Sequence, residues 1–212
     1  MMKKQLAIIC MAAISIITAC DTDDSIDRSI WINDSEDYNL PEYSEWGYNT
    51  FGAKMGRNYF VSCWHENPCI MEWHDSDKTL ELTMNGCQKY KKNSSYDSYA
   101  ATKEDVSLTI IFPCDSVINN CKKLYLLNGK NFDLTDPDIK VLVKRGDNLQ
   151  EAITDIRSGE LHFKRVQILY VNDRFEEAIV SGTFDIRYVS NGEKTWLSDG
   201  RFDLGITPDL FW

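Results

Sequence analysis

From about Tyr48 onward the apolar residues of this 212-residue chain recur with a period of two, and that alternation narrows the fold more than any other feature. Tyr59 to Trp64, Leu80 to Met84, Val106 to Phe112 and Ile139 to Val143 are alternating, β-branched or aromatic, and Leu161 to Val171, Ala178 to Val189 and Arg201 to Ile206 repeat the pattern. Side chains on a strand point to opposite faces in turn, so such segments lie half-buried in a sheet. Asn85-Gly86, Asn128-Gly129 and Asn191-Gly192 have the composition of tight hairpin turns, and Gly56-Arg57-Asn58 suits the first hairpin. The expectation is a mostly β, antiparallel domain, a β-sandwich or a barrel-like sheet, with few short helices.

Helix signals are sparse. Asp115 can cap a short turn through Asn120 after Pro113, and Asn148 can cap Leu149 to Ile156, where Leu149, Ile153 and Ile156 share a helical face. The second segment reads equally well as a strand running into Ser158-Gly159. No internal repeat or extended low-complexity tract interrupts the pattern, so one domain is expected.

Before Tyr48 the character changes. Lys3 and Lys4 lead into the apolar run Leu6 to Ile17 and then Thr18-Ala19-Cys20. That order of charge, short apolar core and small residues before a cysteine is the pattern of a bacterial lipoprotein signal peptide. It assigns residues 1–19 to the signal and makes Cys20 the lipidated N-terminus of the mature chain. Asp21, Asp23, Asp24, Asp27, Asp34, Glu36 and Asp37 then form an acidic stretch poor in core residues, which reads as a tether over residues 20–47, with the domain at 48–212.

Loss of residues 1–19 takes the formal net charge from −10 to −12. So acidic a chain is ill-suited to the phosphate backbone of nucleic acid or to electrostatic docking on anionic lipid, leaving the lipid on Cys20 as the route to the membrane. Setting aside Cys10 and Cys20, five cysteines remain, and an exported chain permits disulfides. Cys63 with Cys69 and Cys114 with Cys121 are the nearest pairs in sequence, each closing a short loop. Spacing alone does not fix the connectivity.

The densest collection of reactive residues is Cys63 to Asp75, which holds His65, His74, Glu66 and Glu72 as well as Cys63 and Cys69. Its spacing matches no zinc framework and no His-Glu-x-x-His helix, so it is read as two strands joined by a Pro-bearing turn, with no metal and no cofactor. No Gly-x-Ser-x-Gly elbow, phosphate loop or dinucleotide fingerprint occurs, and no catalytic residue is assigned. Aromatics are plentiful. Trp64 and Trp73 flank the Cys63 to Cys69 loop, and Tyr90 and Tyr96 lie in the polar Lys89 to Ala101 segment, so these four are the candidate contact residues for a glycan or a protein partner.

Three C-terminal segments carry a resemblance. Ser158 to Arg165, Ile179-Val180-Ser181-Gly182-Thr183-Phe184 and Ser198-Asp199-Gly200-Arg201-Phe202-Asp203-Leu204-Gly205 resemble successive strands of uncharacterised Bacteroidetes surface lipoproteins, and Asn49 to Met55 resembles their opening strand. The acidic residues behind Cys20 likewise resemble the surface-export signal of that group. The resemblance implies a small β-domain on the outer face of the outer membrane, and it transfers no catalytic residue. On physical grounds Gly182 suits a close backbone approach and Gly200 a turn, with Phe184 and Phe202 inward and Asp185, Arg187, Arg201 and Asp203 outward. The function expected is non-enzymatic binding. The alternatives are a lipocalin-like carrier of a small apolar ligand and a carboxylate-dependent hydrolase.

Overall fold

The computed structural model describes residues 29–63, 68–89, 104–114, 118–147, 150–190 and 192–212. Strand accounts for 62% of it and helix for 6%, arranged as one antiparallel sheet curled into a half-barrel. The strands are β1 (Thr50–Met55), β2 (Asn58–Ser62), β3 (Cys69–His74), β4 (Thr79–Lys89), β5 (Glu104–Pro113), β6 (Asn131–Asp133), β7 (Lys140–Arg145), β8 (Glu151–Ala152), β9 (Ile156–Val171), β10 (Arg174–Ser190) and β11 (Glu193–Ile206). Their order in the sheet is β6-β9-β10-β11-β1-β2-β4-β5-β7-β8, with β3 paired to the first half of β4. Each run read as a strand in the sequence overlaps one of these elements, although β2 ends at Ser62, short of the expected Trp64, and β7 begins at Lys140, one residue after the expected Ile139. Period-2 burial on one concave face is what the alternation encodes.

The concave face is filled. Phe112 packs on Phe132 with centroids 4.5 Å apart and on Phe163 at 5.6 Å, and Phe163 meets Phe202 edge-on at 5.8 Å. A 3-10 helix, Cys121–Leu127, lies across β9 and β10 and buries Leu124 and Leu127 in the same core. It starts where the Asp115 to Asn120 turn was expected to end, and Asp115 itself lies outside the described residues. Of the Leu149 to Ile156 segment, Glu151–Ala152 forms the edge strand β8 on β7, so the strand reading is the one realised.

Two expected turns are strand interior. Asn85-Gly86 sits within the eleven residues of β4, and Gly200 lies in β11 opposite Phe184. A side chain at Gly86 would collide with the Val61 carbonyl and the Phe51 ring, and one at Gly200 with the Phe184 carbonyl and ring. These glycines let an aromatic ring approach the backbone closely, the Phe51 ring reaching Gly86 from two strands away and the Phe184 ring reaching Gly200 from the neighbouring strand. Gly182, under the Phe202 ring and against the His162 carbonyl, repeats the device and fits the close approach expected of it. The turns at Gly56 and Gly129 do form, at φ +60° and +72°.

The boundary at residue 47 is corrected. From Ser29 to Tyr48 the chain is a strap laid on the outer face of the sheet, with Leu40 wholly buried against Tyr59, Val61 and Cys87. Asp203, expected to face solvent, is 2% exposed and is the anchor of this strap. Its carboxylate accepts hydrogen bonds from the Ser44 and Ser181 hydroxyls and from the backbone N–H groups of Trp46 (3.1 Å), Gly47 (2.9 Å) and Tyr48 (3.2 Å). Arg201 is likewise held under the strap, donating to Asp34 and to the Pro41 carbonyl. Phe184 and Phe202 do point inward, and Asp185 and Arg187 point outward.

The cysteine pairing also differs. Cys63 is bonded to Cys87, with Cα atoms 5.7 Å apart, and Cys69 is a buried thiol. The faces of the sheet decide this: Val61 and Cys87 are register partners on the strap side, where Cys63 follows two residues on, whereas Cys69 points into the concave core. Cys114 and Cys121 each pack against that core and are not bonded to one another.

Candidate functional site: an open groove at the β10–β11 hairpin

A bulge creates the site. Between Leu197 and Gly200 the β11 register shifts, with Asp199 at φ +54°, so that Leu197 turns inward and its neighbour Trp196 turns out. Trp196 stands opposite Arg187 on β10 and is 42% exposed. Around it Arg157, Val189, Lys194 and Ser198 complete an open groove of about 760 Å³.

Three cations thus line the same groove as Trp196 in a chain of strongly negative net charge. Arg157 pairs with Asp155 at 2.7 Å and Arg187 approaches Asp185 at 3.9 Å, but both arginine side chains are about seven-tenths exposed, at 68% and 71%. Ion pairs so open to water contribute little and are readily exchanged for a ligand's acidic group. Lys54, the register partner of the groove residue Ser198, bridges Asp199 at 2.8 Å and Asp37 of the strap at 3.4 Å, which ties the bulge to the strap. An indole that shares a groove with guanidinium donors offers a surface on which a sugar or an aromatic ring can stack and groups that hold a carboxylate or sulfate by paired hydrogen bonds.

Trp73 does not belong to such a surface. It lies on β3 opposite Leu80 and packs against the concave core, and its backbone N–H donates to the Trp212 carbonyl at 2.8 Å. Trp64, Tyr90, Tyr96 and Cys20 lie outside the described residues. Trp196 was not singled out in the sequence, although the adjacent Trp196-Leu197 pair holds the clue: inside an alternating strand, one of two neighbouring large apolar residues must face out. On the outer face of β3 and β4, Glu72, His74 and Glu81 bring donor atoms capable of binding a metal within 4.8 Å of one another.

Among the described residues, no helix is long and apolar enough to cross a membrane. Compared with protein-family models, with curated proteins and with solved structures, the chain matches none of them.

Proposed function

We propose that this chain is a lipoprotein, anchored through Cys20 at the outer face of an outer membrane, whose β-domain binds an acidic glycan or an acidic face of a partner protein in the Trp196 groove. The observation that carries the reading is the outward Trp196 with Arg157, Arg187 and Lys194 around it. The lipid anchor rests on the residue order from Lys3 to Cys20, and the Cys63–Cys87 disulfide suits an oxidising compartment outside the cytoplasm. A carrier of apolar ligands needs an open interior, whereas Phe112, Phe132, Phe163 and Phe202 occupy the concave side. A lining of cations, an indole and hydroxyl-bearing side chains suits recognition by stacking and charge pairing.

The test is a glycan array that carries uronic-acid and sulfated saccharides beside neutral ones. Selective retention of acidic glycans, lost in Trp196→Ala, supports the reading. Retention of neutral glycans alone contradicts it, and retention of none excludes the glycan arm, after which failure of an acidic peptide to bind the wild type more tightly than Trp196→Ala contradicts the rest. Separately, Cys20→Ala abolishes incorporation of a labelled fatty acid if the anchor is placed correctly.

A further inference from the structure

We propose that Glu72, His74 and Glu81 form a binding site for a first-row divalent cation of the Zn²⁺ class. Glu72 and His74 are two positions apart on β3 and so share its outer face, and Glu81 on β4 is the direct register partner of Glu72. Two carboxylates placed directly opposite one another on neighbouring strands repel, and a pair of this kind is disfavoured unless a cation sits between them. Here an imidazole is added to the pair. His74 Nε2 lies 3.1 Å from Glu81 Oε2, and Nδ1 lies 3.9 Å from Glu72 Oε1. A zinc ion takes one nitrogen of an imidazole, and at roughly 2.1 Å per bond adjacent ligands of a tetrahedron stand about 3.4 Å apart. The His74 Nε2 to Glu81 Oε2 separation is close to that, and one donor atom from each of the three residues lies within 4.8 Å of the others.

A second feature orients the donors. Glu81 Oε1 accepts a hydrogen bond from the Thr83 hydroxyl at 3.2 Å, Thr83 and Thr109 share one at 2.7 Å, and the Gln150 amide donates to Thr109 at 3.1 Å. This row runs from β5 across to β4 and fixes one carboxylate oxygen while leaving the other turned toward His74. Outer contacts of this kind characteristically fix a ligating carboxylate and tune its affinity for metal. One imidazole and two carboxylates match zinc and its neighbours better than calcium or magnesium, which prefer oxygen alone. With three protein ligands and half-exposed side chains, the remaining positions fall to water or to a ligand's own acidic group. The spacing escaped the sequence because the ligands are joined by strand register, not by a local motif.

The experiment titrates zinc chloride into the purified protein, disulfide intact and stripped of metal by chelator, with calorimetry and the ring resonances of His74 as readouts. One saturable site below about 1 mM zinc, with the His74 ring shifted on binding, is expected. His74→Ala and Glu81→Gln should each weaken binding at least 10-fold, and Thr83→Val should weaken it several-fold while leaving all three ligands in place. Glu72→Gln, at the most exposed of the three positions, provides a variant that retains the fold if the others do not. No saturable uptake, uptake undiminished in His74→Ala and Glu72→Gln, or equal competition by calcium would each overturn the proposal.

Discussion

At the scale of single residues, Asp203 and the two tryptophans Trp73 and Trp196 separate what holds the molecule together from what it presents. Asp203→Ala removes one buried carboxylate and leaves three strap N–H groups without their acceptor, at a cost of about 1 to 3 kcal/mol for each buried group left unpaired. A loss near 3 kcal/mol in urea unfolding is therefore expected, since water can reach part of the strap. Trp73→Ala opens a void beside the core and should cost about 2 to 4 kcal/mol. Trp196→Ala, by contrast, should shift unfolding by less than about 0.5 kcal/mol, as surface substitutions do, while removing a large part of ligand binding. Equal destabilisation by the two tryptophan substitutions would mean that Trp196 is a packing residue and the groove no site. Asp203 was illegible in the sequence because its partners are a strap some 155 residues away, and an Asp between Phe202 and Leu204 has the same period-2 signature whether its face meets water or a covering segment.

At the scale of elements, the strap is an acidic segment that folds because its carboxylates find donors. The Glu36 backbone N–H and the Arg201 guanidinium hold the Asp34 carboxyl below its ordinary 3.8. Burial opposes ionisation of Asp37, but hydrogen bonds from Asn39, Tyr59 and Lys54 outweigh it and its pKa is also lowered. The Arg165 guanidinium does the same for Glu45 from its ordinary 4.5. Because these pKa values are depressed in the fold, their contribution is complete above the ordinary values and drains away as pH falls below 4.5 and 3.8 toward the lowered ones. Strap amides followed by NMR should therefore lose their native shifts on acidification before the β9–β10–β11 meander does. Simultaneous loss would show that the strap's ion pairs are not what docks it. Reduction of Cys63–Cys87, which spans 24 residues of sequence, should lower stability by about 3 kcal/mol in the loop-entropy picture, read as a lower denaturant midpoint. The strands themselves were legible, since alternation and burial are the same fact on a one-sided sheet. The turn glycines were legible only in part: Asn-Gly composition does not distinguish a glycine that turns the chain from Gly86, which lies under a ring.

For the whole molecule, a half-barrel filled on its concave side by phenylalanines and a 3-10 helix leaves the outer face as the surface on which the proposed ligand would dock. The strap already covers much of that face around β1, β2 and β11, and the groove at the end of the β10–β11 hairpin lies beyond it. In this arrangement the strap is tied to the groove, because Asp37 meets Lys54, and Lys54 meets Asp199 in the bulge beside Trp196. Lys54→Ala should accordingly weaken ligand binding without touching the ligand, with Trp196 fluorescence moving toward a less ordered environment.

The most direct test is the affinity of the folded domain for acidic saccharides, measured on the wild type and on Trp196→Ala and Arg187→Ala with melting temperatures recorded alongside. The account predicts saturable binding that falls at least 10-fold in each variant while melting stays within a few degrees of wild type. Undiminished binding in both variants, or binding lost only where the fold is lost, would contradict it.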